Sequence, residues 1–170
     1  MPEIRLSTFG SRATIPVRDP NGGQLELPRV QFRCWVRLPG LTMPRDGIID
    51  TGSPFTWLPH DIWKHFRAGA DYEELPFPVG YHPPRAQTAG WNFTYRFVRL
   101  LQPIGLYDLQ TELTRDGVIL QLADSDPPAV AHSNAPARVV IGLWGGLLEG
   151  TSLRISANPA NGHVAGALEW

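Results

Sequence analysis

The sequence predicts an all-β domain of barrel-like architecture, closed or partly open, with one or two short helices. Three observations carry that prediction. Glycine and proline number 17 each, a fifth of the 170 residues, where average usage of the two together is about 12%. With 42% hydrophobic residues, this excess marks many turns in a globular chain, not disorder. Val30, Phe32, Cys34, Val36 and Leu38 alternate with Gln31, Arg33, Trp35 and Arg37, the period-two pattern of a half-buried strand. The rest of the chain breaks into short apolar or β-branched runs between Gly- and Pro-containing turns, giving eight or more strands, a pattern foreign to helix bundles.

Taken in order, residues 1–27 hold a weak strand signal and a turn at Asp19-Pro20-Asn21-Gly22-Gly23. The strand from Val30 to Leu38 is closed by Pro39-Gly40. Arg45-Asp46-Gly47 turns the chain into a short buried strand at Ile48-Ile49. Asp50-Thr51-Gly52-Ser53 interrupts it, Phe55 to Leu58 resumes it, and Pro59 ends it. His60 to Phe66 is the clearest helix, with Pro59 just before it. Residues 67–85 read as a proline-rich loop. Ala86 to Leu101 read as a hairpin turning at Thr88-Ala89-Gly90-Trp91. Gly105 to Leu109 and Gly117 to Leu122 are further strands, followed by a loop from Ala123 to Ala137. A loop that long implies a functional or mobile role. Arg138 to Gly142 is a strand, Leu143 to Glu149 a second short helix, and Leu153 to Ile155 with His163 to Trp170 a terminal hairpin. The length fits one domain with a core large enough to need no covalent staples.

Composition removes several function classes. Fifteen basic and 16 acidic residues leave a net charge of −1, unlike a nucleic-acid binder. A single cysteine, Cys34, excludes an internal disulfide and a cysteine-based zinc finger. The first twenty residues lack a basic start followed by an apolar run, so no signal peptide is visible. The longest apolar stretch, Val139 to Leu148, falls well short of the roughly 20 residues a membrane span needs. The expectation is a soluble, cytoplasmic protein with neither nucleic-acid nor membrane partners.

One constellation carries chemistry. Asp50 closes an apolar strand and is followed by a small hydroxyl residue and a glycine. A carboxylate at such a place must be hydrogen-bonded or functional, because burying it without a partner is costly. Gly52 lets the backbone turn sharply and brings its amide toward the carboxylate, while Thr51 and Ser53 add short-range hydroxyls. The triplet alone is compatible with a strand-end Asx turn. Its surroundings, Gly47-Ile48-Ile49 before and Phe55-Thr56-Trp57-Leu58-Pro59 after, are what single it out.

The stretch GIIDTGSPFTWLP, Gly47 to Pro59, resembles the active-site loop of aspartic proteases. RVVIGLWGGLL, Arg138 to Leu148, resembles their second signature, carried by Val140, Ile141 and Gly142. PRAQTAGWNFTYRFVRL, Pro84 to Leu100, resembles the flap hairpin and its return strand, with Thr88, Gly90 and Trp91 at the substrate side. The ending, Gly150 to Trp170, is similar to the terminal strands of retroviral-type proteases and their bacterial relatives. The likeness spans about residues 25–170 and leaves residues 1–24 as an N-terminal strand or tail.

This resemblance implies an aspartic endopeptidase acting on peptides, without metal or cofactor. One DTG motif in a chain this short implies a homodimer in which each copy supplies Asp50 across a two-fold axis. Thr51 would lock the two loops together, Gly52 would keep its amide near the carboxylate, and Ser53 would hydrogen-bond the outer carboxylate oxygen. Such bonding favours ionisation, so an acidic to mildly acidic optimum is expected. The His163 to Trp170 segment would help form the dimer sheet. Two departures stand out. Retroviral enzymes pair an acid just after the motif with an arginine after the second glycine, but here Pro54-Phe55 and Leu143-Trp144 hold those places. The flap turn also has only one glycine. The alternative, from another class, is a protease-fold protein that binds a peptide or partner without cutting it.

Other residues have plainer readings. His60, Asp61 and His65 cluster on the expected helix but lack further ligands nearby in sequence, as a solvated face does. Cys34 sits on the apolar side of its strand as a small hydrophobe. Arg29, Arg33 and Arg37 share the opposite face of that strand, where a solvated sheet surface is expected. Trp57, Trp63 and Trp144 read as core or interface, and Trp91 alone as functional.

Overall fold

The computed structural model describes residues 2–18, 22, 24–77, 85–88, 91–126, 137–158 and 163–170. Strands dominate these residues, as expected. They are β1 (Glu3–Arg18), β2 (Gln24–Arg37), β3 (Arg45–Ile49), β4 (Thr56–Leu58), β5 (Tyr72–Leu75), β6 (Arg85–Thr88), β7 (Trp91–Leu100), β8 (Ile104–Tyr107), β9 (Glu112–Arg115), β10 (Ile119–Ala123), β11 (Val139–Ile141), β12 (Ser152–Asn158) and β13 (His163–Glu169), with one helix, α1 (His60–Trp63). Their pairings form one path, β12-β13-β1-β2-β3-β11-β4-β10-β7-β5, with β6 on β7 and β8 bridging β2 to β9. The path is open: among the described residues no pairing joins β12 to β5, so the sheet is all-β as predicted but not a closed barrel.

β2 is the hub. Its first part pairs antiparallel with β1, from Arg18↔Gln24 to Ser7↔Arg33. Its last part pairs with β3 on one side and β8 on the other, so that Trp35 faces both Asp46 and Tyr107. The alternation read in the sequence sends Cys34 and Val36 into the core, with Ile4, Leu58, Ile62, Leu106, Leu120 and Ile141. A second, aromatic cluster of Phe93, Tyr95 and Phe97 lines one face of β7 and packs against Phe55 and Trp57.

Several elements differ from expectation. The weak N-terminal signal is a 16-residue strand, and β2 starts at Gln24, six residues before the alternation begins. Pro16 and Pro28 lie within these strands and read as breaks because they donate no ladder hydrogen bond. The long hairpin accommodates them, with a register shift between Ser11 and Thr14. The helix expected to run to Phe66 stops at Trp63. The amide of Arg67 is captured by the Asp71 side chain (2.8 Å), and Gly69 adopts φ +76°, so the chain turns away. The expected loop 67–85 contains β5. Its outward Glu73 and Glu74 pair with Arg99 and Arg96 of β7, each at 2.7 Å.

The expected helix from Leu143 to Glu149 does not form. Gly145 and Gly146 sit at φ +96° and +94°, outside the helical region, and Gly145 accepts the Ile119 amide at 2.7 Å. Most of the expected loop 123–137 lies outside the described residues.

Asp108 anchors the β8–β9 turn. It accepts backbone N–H bonds from Gln110, Thr111 and, across the molecule, Arg5 of β1 (2.7–2.8 Å). Burial pushes its carboxyl up, but these donors outweigh it and hold it below the ordinary value. A carboxyl depressed in the folded state stabilises above its unfolded pKa of about 3.9 and loses that contribution as pH falls. We therefore expect Asp108→Ala to lower stability by about 1–2 kcal/mol at pH 7 in urea unfolding, with the gap from wild type narrowing below about pH 4. A gap constant from pH 7 to pH 3 would contradict this assignment.

Candidate active site

The site begins with a topological requirement. β3 and β4 are joined by residues 50–55, yet they are not neighbours, because β11 lies between them. Val139, Val140 and Ile141 pair in parallel with Gly47, Ile48 and Ile49, and Val140 also faces Trp57 of β4. The loop must therefore cross two strand spacings, roughly 9–10 Å, above the end of β11.

Its crossing is fixed by backbone hydrogen bonds. The Asp50 amide donates to the Ile141 carbonyl (3.0 Å), the Leu143 amide to the Ser53 carbonyl (3.1 Å) and the Trp144 amide to the Pro54 carbonyl (2.6 Å). Phe55 and Trp144 form an isolated parallel bridge. Gly142 donates its amide to the hydroxyl of Thr56, a fully buried side chain, at 3.1 Å. A methyl group on Gly142 would overlap the Phe55 backbone, reaching 2.8 Å even from its Cα. Glycine is required there by close approach, not by an unusual φ.

Within the loop, Asp50, Thr51 and Gly52 are exposed. The Gly52 amide donates to Asp50 Oδ1 (3.0 Å), and the Ser53 amide donates to the Asp50 carbonyl (3.0 Å). The Asx turn and the candidate site are thus the same structure. Ser53 differs from expectation: its hydroxyl donates to the Phe55 carbonyl (2.8 Å), bracing the loop instead of the carboxylate. Asp50 Oδ2 accepts no hydrogen bond from the described residues. The arrangement presents an exposed carboxylate, held through Oδ1 by the Gly52 amide, on a loop bonded to β11.

The structure brings Asp50, Thr51, Gly52 and Ser53 together with Val140, Ile141 and Gly142. Thr88 and Trp91 are the last pair of the β6–β7 ladder, while Gly90 lies outside the described residues. An aromatic row joins β7 to the loop. The Phe55 and Phe97 rings are 4.9 Å apart, edge to face, Trp57 lies 5.7 Å from Phe93, and Phe77 meets Phe97 at 5.4 Å. Phe55 and Thr56, the residues that lock the loop to β11, stand out in the sequence only as part of the stretch after the DTG triplet, with no individual role assigned to either. Their role becomes visible only when Gly142 arrives from a distant part of the chain.

On the other side of the loop, a cleft of about 380 Å³ is lined by Val30, Phe32, Ile48, Asp50, Leu153 and Ile155, among others. Ile155 is 54% exposed. It belongs to β12, whose outer edge has no partner among the described residues. β13, expected to supply a dimer strand, is paired on both flanks over residues 166–169, with β1 and with β12. The open edge at this end of the sheet is therefore β12.

Burial pushes the Cys34 thiol up to about 12, with the Asp46 charge adding to it, so it is a protonated core residue. Asp61 pairs with Lys64 at 2.5 Å, a hydrogen bond that pulls its carboxyl below the ordinary value. Among the described residues no three His, Cys, Asp or Glu side chains converge on a metal-binding arrangement, and no helix is long and apolar enough to cross a membrane. The solvated face expected for Arg29, Arg33 and Arg37 is corrected at Arg33, which is buried and pairs with Asp46, whereas Arg37 is exposed and pairs with Glu112; the side chain of Arg29 lies outside the described residues.

No family model matches the chain, and no curated protein matches it. Among solved structures, the chain is similar to a retropepsin-like aspartic protease from Rickettsia conorii. The TM-score is 0.45 at 13% identity, over 96% of this chain and 93% of that one.

The crowding at Gly142 gives a direct test. Gly142→Ala is expected to cost about 2–3 kcal/mol, read as a lowered thermal midpoint. Gly52→Ala, whose methyl would meet only Asp50 Oδ1 at 3.3 Å, should cost clearly less. Equal losses would show that the Phe55 contact is not the constraint.

Proposed function

We propose that the chain is an aspartic endopeptidase whose working unit is a homodimer, with Asp50 of each copy forming the catalytic pair. The observation that carries this reading is the exposed Asp50 carboxylate, fixed through Oδ1 by the Gly52 amide on a loop locked over β11. Two carboxylates brought together cannot both ionise cheaply and share one proton, as is known for aspartic-protease pairs. The ionised member removes a proton from a bound water, and the protonated member donates to the scissile carbonyl oxygen as the water attacks. The apparent pKa values belong to the pair. No covalent intermediate forms.

The surface beside Asp50 supports the dimer. A copy placed to set Asp50 against Asp50 would lie beside the cleft lined by Leu153 and Ile155, and the edge of β12, without a partner among the described residues, would offer a ladder for the same strand of that copy. On the other side, the exposed Phe77 and the partly buried Phe55, both packed on the Phe97 ring, would offer an apolar surface to substrate side chains. An extended peptide would bind as an added strand with alternate side chains in pockets.

Wild type and Asp50→Asn are to be incubated with a mixed peptide library from pH 3.5 to 7.5. Cleavage by wild type alone, strongest on the acidic side and at apolar residues, is the expected result. Cleavage by both would assign the activity to another group, and cleavage by neither would favour a peptide-binding protein that does not cut. Separately, Ile155→Glu should shift sedimentation from dimer to monomer, because an isologous contact sets the two new charges near each other. An unchanged dimer would place the interface elsewhere.

A further inference from the structure

The loop bonds explain how Asp50 is held from the front. The strands beneath it are held from behind by a second device. β3 and β11 are in parallel register from Gly47↔Val139 to Ile49↔Ile141. Asp46 and Arg138 stand one residue earlier on each strand, and they form an ion pair, Arg138 Nε to Asp46 Oδ2, at 3.0 Å. The same oxygen accepts from Arg33 Nη1 of β2 at 3.3 Å, while Arg33 Nη2 donates to Gln31 at 2.9 Å. One carboxylate therefore ties together three adjacent strands. Asp46 lies four residues before Asp50, and Arg138 four before Gly142.

The surroundings make this contact more than a surface ion pair, which is usually worth little. Arg33 is only 9% exposed. Burial and the neighbouring Arg138 pull its guanidinium below its ordinary value, and Asp46 opposes both. Without the carboxylate, two like charges would face each other at the start of β11, one of them buried, a situation far costlier than losing an exposed pair. The strands leave no slack nearby: a methyl on Gly47 would come within 2.5 Å of Val36 Cγ2 and 2.8 Å of Ile141 Cδ1. A change in β3–β11 spacing is thus passed to the Asp50–Ile141 hydrogen bond and the Gly142–Thr56 contact.

We propose that Asp46 is a positioning residue for Asp50: by bridging Arg33 and Arg138 it sets the register and separation of β3 and β11, and with them the placement of the Asp50 and Gly142 loops. The proposal rests on the proteolytic reading only for its kinetic consequence. Its structural consequence is independent of it.

The test uses the full chain with Asp46→Asn and Arg138→Gln, the second keeping the Arg33–Asp46 pair in case the first folds poorly. Leu113→Ala serves as a destabilised control, since Leu113 is a core residue of β9, which among the described residues pairs with β8 alone. Amide hydrogen exchange at Gly52, Ser53 and Gly142 should speed up in both Asp46→Asn and Arg138→Gln more than in the control, at temperatures equally far below each midpoint. With a cleavable peptide, kcat should fall roughly ten- to a hundredfold with KM within about twofold, and Asp46→Glu should restore part of it. Exchange at these amides no faster than in Leu113→Ala would overturn the proposal. Absence of peptide cleavage by wild type would count against the proteolytic reading alone, because the exchange comparison still decides the role of Asp46.

Discussion

The molecule depends on one strand being in the right gap. β11 fills the space between β3 and β4, two strands that the Asp50 loop must join over its end. That single insertion gives the Asp50 amide its acceptor at Ile141 and the Gly142 amide its acceptor at Thr56. It also brings Trp144 beside Phe55. The loop is short, polar and solvent-facing, the kind of segment that ordinarily samples many conformations. Here both of its flanks and the strand beneath it are bonded to it.

The two sides of the loop differ in chemistry. Toward β7 the neighbours are aromatic, packed edge to face at Phe55–Phe97 and Phe77–Phe97 and tilted at Trp57–Phe93, so that ring geometry sets their arrangement. Toward β12 they are aliphatic and partly exposed, a surface suited to being covered. This asymmetry follows from alternation along β2, β7 and β12.

Much of this was legible in the sequence because local rules and the fold agree. The alternation from Val30 to Leu38 and the two apolar steps around Asp50 identified β2, β3 and β4, and the DTG triplet identified the loop. β5 and β9 were not legible. Their residues, Tyr72 to Leu75 and Glu112 to Arg115, are rich in charge, and they are strands because Tyr72 and Leu113 enter the core and their backbones pair with β7 and β8, while their exposed glutamates meet arginines. The helix expected after Gly142 failed for a related reason: its apolar composition was read without the partners that capture its amides. Ser53 shows the finest limit. Its residue type marked it as a hydrogen-bond donor, but which of two nearby oxygens it meets is decided by the geometry of the crossing.

The insertion of β11 also fixes a moment in the life of the chain. Gly47 and its partner Val139 lie 92 positions apart in sequence, and contacts of such separation form only after the cost of closing a long loop has been met. During synthesis, every residue of the Asp50 loop leaves the ribosome long before the strand that shapes it. A growing or truncated chain therefore carries the carboxylate but not the arrangement around it. Whatever chemistry the loop performs is withheld until β11 has been made and has entered its gap.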